Sequence, residues 1–342
     1  MVGDAPPFWW APADWRALAL YPLSAAYGAI ARHRLLKAER RPVAAPVLCV
    51  GNLTVGGSGK TPVAIALAGK ARKMGLTPGI LSRGHGGSAG EPHIVDPDQD
   101  SARHVGDEPL LLARAAPVAV TADREAGARL LIGRGCDFLI MDDGFQSARI
   151  LIDYALVVVD SRRGIGNGHT IPGGPMRAGL VDQMRYCDGV LRVGGGEAAN
   201  LVVRHAARAG RPFFEASIRP KPLRGFAGTR CLAYAGIGEP AKFFDTVWAL
   251  GGEVVVERGF ADHHFYSDFD AQDLLASAKA KELTLVTTAK DAVRLDHAGE
   301  ALSELRRQSM VIEVEARFEL DTTWRSIISE TVERYRRRQI AS

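Results

Sequence analysis

The residues of this chain that could do chemistry gather first at Val47–Thr61, which reads VLCVGNLTVGGSGKT. An apolar run leads into Gly56, Gly57 and Gly59, then Lys60 and Thr61, then a helical stretch. Glycines let a backbone curl until several N–H groups face phosphate oxygens, and the positive end of the following helix adds to the same field. In such a loop the lysine reaches the β- and γ-phosphates and the hydroxyl ligates Mg²⁺. Nucleotide contact is therefore expected from Thr54, Val55, Gly56, Gly57, Ser58, Gly59, Lys60 and Thr61. Pro62 suits the first helical turn, where a missing N–H costs little. The strict GxxxxGK[ST] pattern fails only at its first glycine, where Thr54 stands.

A phosphate loop needs an acidic strand end beside it to hold metal, and FLIMDD (138–143) supplies one. Asp142 and Asp143 are expected at the carboxyl edge of the sheet, next to the loop; a pair of acids capping a turn is the plainer alternative. Asp107 in GDEP precedes an apolar helical run, so a helix cap competes with a catalytic carboxylate. His263 and His264 follow Asp262 in a DHH triplet. Neighbouring extended residues point to opposite sides, so the triplet argues against one shared metal ion. One buried and one surface histidine is the plainer reading. Arg83, Arg124, Arg162, Arg163 and Arg177 lie in or beside loops, and the set is expected to include a phosphate contact.

These groups need a frame, and the chain is long enough to build two. Its 342 residues are 46% hydrophobic and 24% charged, a globular mix that excludes disordered and disulfide-stapled classes. A net charge of +4 is too small to argue for nucleic acid. Cys49, Cys136, Cys187 and Cys231 form no CxxC pair, so they read as buried thiols in a reducing compartment. Apolar runs at 47–53, 79–82, 117–121, 138–141, 155–159, 189–193 and 213–218 alternate with helical stretches such as 61–74, 107–115 and 123–134. That pattern predicts a mostly parallel α/β sheet flanked by helices. The Pro-, Gly- and Arg-rich segment 219–230 reads as a boundary. A smaller α/β series follows, with strands near 231–236, 253–260, 284–288 and 310–315, then a helix over 322–338. The expected units are 1–42, 43–219, 230–316 and 317–342. Pairing of the strands near 213–218 and 310–315 would return the last helix to the first unit.

Ahead of these units lies an uncharged stretch, Ala17–Ala31, short for a membrane span. Trp9, Trp10 and Trp15 precede it, and Arg32, Arg34, Lys37, Arg40 and Arg41 follow. Tryptophan favours the headgroup level and clustered basic residues favour anionic lipid, so an interfacial helix is expected. A core helix of the soluble fold competes with it. A cleaved signal peptide fits worse, because Asp4 and Asp14 stand where a basic leader belongs.

Together these segments resemble the tetraacyldisaccharide 4′-kinase (lipid A 4′-kinase) family. The resemblance rests on GNLTVGGSGKTP (51–62), LSRGHGG (81–87), VGDEPLLLA (105–113), MDDGFQ (141–146), VVVDSRRGIGNG with PGGPMR (157–177), AYAGIGEP (233–240), FADHHFY (260–266) and TTAKDAVRL (287–295), in that order. In that family the loop also lacks the first glycine, so Thr54 matches. The resemblance implies a P-loop NTPase-like fold and transfer of the ATP γ-phosphate to an acylated disaccharide 1-phosphate lipid, with Mg²⁺, at the cytoplasmic face of a bacterial inner membrane, by a monomer. It implies Lys60, Asp107 and His263 as catalytic residues, Asp107 activating the sugar hydroxyl and His263 its partner from the second unit. Thr61, Glu108, Asp142 and Asp143 are implied as metal ligands. His85, Ser147 and PGGPMRAG depart from the family's usual residues and touch only details of substrate contact. The alternative is a membrane-docked P-loop GTPase or ATPase switch acting on a protein partner. Guanine readers use NKxD, whereas here Lys290 is directly beside Asp291.

Overall fold

The computed structural model describes residues 5–146 and 149–341, so Asp4 and Ser147 lie outside the described residues. Eight strands arise in the first two-thirds of the chain: β1 (Val47–Gly51), β2 (Pro78–Ser82), β3 (His93–Ile94), β4 (Val118–Val120), β5 (Phe138–Asp142), β6 (Tyr154–Asp160), β7 (Gly189–Val193) and β8 (Phe213–Pro220). Four more, β9 (Arg230–Ala235), β10 (Glu253–Gly259), β11 (Thr284–Thr288) and β12 (Ser309–Ile312), precede a last one, β13 (Val314–Phe318). A nine-stranded sheet has the order β13-β8-β7-β6-β1-β5-β2-β4-β3, and a four-stranded sheet has the order β10-β9-β11-β12. The small sheet is parallel throughout, and the large one is parallel except at its two edges, β3 and β13.

The near-continuous apolar runs have a physical cause in this layering. Every residue of β1, β2 and β5 is buried, because helices cover both faces of a parallel sheet. Alternation still sorts the side chains. Leu48 and Val50 join Ile140, Leu156 and the residues Val63 and Leu67 of the helix Lys60–Lys73 on one face. Val47 and Cys49 join Leu139, Met141 and Leu131 of the helix Arg124–Gly133 on the other. The closing helix Asp321–Ala341 buries Trp324, Ile327 and Ile328 in the first of these layers.

The chain crosses to the small sheet after Pro220 and returns through Glu313. Val314 pairs with Pro220 in an antiparallel ladder, and Lys221 binds Glu313 through both backbone (2.8 Å) and side chain (2.7 Å). The run expected as one strand near 310–315 is two: Ser309–Ile312 in the small sheet and Val314–Phe318 in the large. The limit drawn at 316 therefore falls inside β13. A single apolar run carries no mark of which sheet each half joins.

The uncharged N-terminal stretch is not one helix. It breaks at Leu20 into Trp15–Ala19 and Tyr21–Lys37, with Pro22 in the first turn of the second. No helix among the described residues is long and apolar enough to cross a membrane. The second helix docks by a narrow face: Ser24 Oγ accepts from Gly173 N at 2.9 Å, and its carbonyl accepts from Thr170 Oγ1 at 2.7 Å. Leu18, Tyr21, Leu23, Tyr27 and Ile30 face outward, between 37% and 64% exposed. The three tryptophans do not act together. Trp9 donates to Pro172 O at 3.0 Å and Trp10 lies beside the phosphate loop, while Trp15 is exposed.

Candidate active site

The phosphate loop joins β1 to the helix Lys60–Lys73. Gly56 and Gly59 have φ of 94° and 83°, a left-handed region in which a side chain is strained. Thr54 bridges Met176 and Val55 N donates to Pro175 O at 2.9 Å, so the segment 172–177 braces the loop from outside. The N–H groups of Gly56, Gly57, Ser58 and Gly59 have no acceptor among the described residues. A Cβ on Gly57 would meet nothing within 4 Å. Free donors on an open, curled backbone are what a polyphosphate requires. Ser58 Oγ is buried without a partner among the described residues, and Lys60 is buried at the helix start with Thr61 after it.

Directly beside this loop, β5 runs parallel to β1 with Val50 opposite Asp142. The two acids at its end differ. Asp142 is buried, its Oδ1 has no hydrogen-bond partner among the described residues, and burial beside the Glu108 carboxylate pushes its pKa up to about 7. Asp143, at φ 50°, is held by Arg177 at 2.6 and 2.8 Å and approached by Lys60 Nζ at 3.8 Å. Burial opposes its charge, but Lys60 and Arg177 outweigh that and hold its pKa below the usual carboxylate value. Oxygen ligands from carboxylates and a hydroxyl suit Mg²⁺. The orphaned, desolvated Asp142 oxygen is the place where a cation would relieve the most. Of the expected ligands Asp142 therefore has the open oxygen and fits such an ion, whereas both Asp143 oxygens are held by Arg177. Glu108 is engaged instead by Lys290 Nζ at 2.9 Å, whose charge keeps its pKa low.

Asp107 comes from the helix Asp107–Ala113 of the large unit, which packs against the helix Lys60–Lys73. It is not a helix cap: Gly106 occupies that position and Asp107 is the first helical residue. Its Oδ1 accepts from Glu108 N at 2.8 Å, and its Oδ2 meets His263 Nδ1 at 3.0 Å. Arg294 Nε also binds Oδ2 at 2.9 Å. Burial disfavours the Asp107 charge, yet the His263 hydrogen bond, Lys290 and Arg294 overcome it and hold the carboxyl far below its ordinary range. His263 sits at φ 57°, in the loop between β10 and the next helix, with its N–H on Gly236 O at 3.1 Å. Its neighbour turns away: His264 Nε2 lies 3.2 Å from Asp270 Oδ2 and stacks on Phe260. The two histidines of the triplet diverge, but through a turn at His263 and not through the alternation of an extended chain.

The arginines separate into different fates. Arg124 is 2% exposed with Nη2 unpartnered, and Arg177 clamps Asp143. Arg163 pairs with Glu239 of the small unit and covers Trp10. Arg124 is buried although its position beside a loop would have allowed it to stay solvated. Sequence reasoning singled out neither Lys290 nor Arg294. Their signal was their place in TTAKDAVRL, whose helix Ala289–Leu295 meets the helix Asp107–Ala113.

The chain resembles known proteins along its whole length. The family model described as tetraacyldisaccharide-1-P 4′-kinase matches residues 16–333. The tetraacyldisaccharide 4′-kinase of Mesorhizobium japonicum is 59% identical, with 100% of both chains covered, and that of a Chelativorans species is 53% identical over 99% of each. The crystal structure of LpxK from Aquifex aeolicus in complex with ATP has the same fold, with a TM-score of 0.74 at 23% identity over 92% of this chain and 99% of that one. With the family model spanning most of its length and relatives more than half identical end to end, the chain belongs to the tetraacyldisaccharide-1-P 4′-kinase family.

Proposed function

We infer that this protein is an ATP- and Mg²⁺-dependent lipid kinase of lipid A biosynthesis. It transfers the ATP γ-phosphate to the 4′-hydroxyl of a tetraacyldisaccharide 1-phosphate, giving lipid IVA. One observation supports the site assignment: Asp107 meets His263 across the two units, and the adjoining Glu108 lies within electrostatic reach of Lys60 and Asp142. Phosphoryl transfer demands position and charge neutralisation more than covalent chemistry. The amides of Gly56–Gly59 and Lys60 bind the triphosphate. Asp142, with the Thr61 hydroxyl, would hold Mg²⁺, which would neutralise phosphate charge. Asp107 accepts a hydrogen bond from the sugar hydroxyl, and His263 completes the pair that draws off its proton. The crossings at Pro220 and Glu313 form the hinge on which the small unit seats His263 and excludes water.

The lipid must reach this cleft from a membrane. The outward face of Leu18, Tyr21, Leu23, Tyr27 and Ile30, followed by Arg32, Arg34 and Lys37, fits a helix lying in the cytoplasmic interface of the inner membrane. Purified protein incubated with [γ-³²P]ATP and the acylated disaccharide 1-phosphate should give a labelled lipid that depends on Mg²⁺. Hydrolysis of nucleotide without lipid labelling would reject the assignment. A guanine switch is disfavoured by Asp291. It is fully buried, and its oxygens are taken by Gly236 N, Tyr266 OH, Thr288 Oγ1 and Arg294, which leaves nothing to read a base.

A further inference from the structure

The groups that fix Asp107 belong mostly to the other unit. Arg294 directs Nε and Nη2 at Asp107 Oδ2, at 2.9 and 2.5 Å. Its Nη1 donates to Gly236 O at 2.6 Å and to Asp291 Oδ1 at 2.8 Å. The guanidinium is 1% exposed. A buried cation is tolerated only when charge and hydrogen bonds answer it, and here two carboxylates and a carbonyl do. Asp291 is itself locked by Tyr266, Thr288 and Gly236. The far side of Arg294 is therefore rigid and internal to the small unit, while its near side holds nothing but Asp107.

Resting on the Asp107–His263 pair proposed above, we propose that Arg294 is a positioning residue for phosphoryl transfer. It grips Oδ2 of Asp107 from the small unit, leaving Oδ1 as the face open to the sugar hydroxyl. The geometry explains why one oxygen carries so many contacts. His263 and two guanidinium N–H groups saturate Oδ2, whereas Oδ1 receives only Glu108 N. Two N–H groups of one rigid guanidinium converging on a single oxygen fix its position in a way a flexible ammonium cannot. It also makes the site conditional, because an unseated small unit withdraws His263 and Arg294 together.

Other charges around the pair set the pH behaviour. Lys290 faces Asp107 from the same helix as Arg294, Glu108 adjoins it, and Asp291 and Tyr266 stand behind the guanidinium. Removing the Arg294 cation should raise the proton affinity of the Asp107 carboxyl, so the acid limb of the rate profile moves to higher pH.

The test is full pH–rate profiles of kcat and kcat/KM for Arg294→Gln and Arg294→Lys, with melting temperatures. Arg294→Gln is expected to lose at least tenfold in kcat, keep its KM for ATP within about twofold, and shift the acid limb upward. Arg294→Lys keeps the charge between Asp107 and Asp291, so it should fold, retain the wild-type limb and still lose kcat. Added guanidinium ion should partly restore Arg294→Ala. A kcat unchanged in Arg294→Lys, or losses in kcat and ATP affinity in equal proportion, would overturn the proposal even if Arg294→Gln cannot be purified. Failure of the underlying pair is distinct, since His263→Ala would then turn over normally.

Discussion

Lys60 Nζ and Asp143 Oδ1 lie 3.8 Å apart, with the phosphate-loop lysine drawn toward the acid at the end of the neighbouring strand. Arg177 already pairs with that acid, so Lys60 can leave it for a triphosphate without stranding a buried charge. Lys60→Met should therefore fold and lose about 10²–10³-fold in kcat/KM for ATP, the scale of one preorganised charge contact in a phosphate-type site. Steady-state kinetics at saturating lipid measure this, and a loss below tenfold would contradict the assignment.

Asp142 yields a prediction in which stability and activity oppose each other. The folded protein holds its proton up to about 7, against 3.8 for the free group. A folded-state pKa raised in this way makes stability fall as pH climbs through that window. Asp142→Asn should melt at a higher temperature than wild type at pH 8 in the absence of Mg²⁺, with little difference near pH 4, and should have no measurable turnover. The same linkage predicts proton release when Mg²⁺ binds near pH 7. Melting curves at the two pH values decide it.

His263 contacts Asp107 from the second unit, while the phosphate loop lies wholly in the first. His263→Ala should lower kcat by about 10²–10⁴-fold, the usual range for a positioned acid–base group, and leave the Kd for ATP unchanged. Equilibrium binding of a fluorescent ATP analogue beside a lipid-phosphorylation assay separates the two quantities.

Leu23 and Ile30 project from the N-terminal helix at 61% and 56% exposure and touch no core cluster. Replacing both with Glu should abolish co-sedimentation with anionic phospholipid vesicles, leave the melting temperature unchanged, and raise the apparent KM for lipid several-fold. Vesicle binding that persists in this variant would show that another surface carries the contact.

Ile328 is fully buried in the layer that covers the large sheet, although it comes from the last helix of the chain. Ile328→Ala should cost about 2–5 kcal/mol of stability, as large-to-small core changes do, and urea unfolding followed by tryptophan fluorescence would measure it. A cost near zero would mean that the helix is an appendage.

The phosphate loop was legible in the sequence because its chemistry is local. Gly56, Gly59 and Lys60 lie within one turn of chain, and the strand before and the helix after are each marked by their own periodicity. The same holds for β1, β5 and β6, whose apolar runs state that both faces are covered. Asp142 and Asp143 could be placed beside the loop because a metal site needs them there, but not told apart. That difference arises from the ion pairs of Arg177 and Lys60 with Asp143, while Oδ1 of Asp142 has no hydrogen-bond partner among the described residues.

What the sequence alone determined, then, is the set of elements and the nucleotide end of the site, since propensity, capping and glycine placement act over a few residues. Only the tertiary structure decided how the acceptor end is built. His263 lies 156 residues from Asp107 and Arg294 lies 187 residues from it, and no local pattern couples positions so far apart. It also decided that 309–318 is shared between two sheets, and that Arg124 is buried. Each of those outcomes is set by how one layer seats on another, through burial and charge pairing that exist only once both layers have formed.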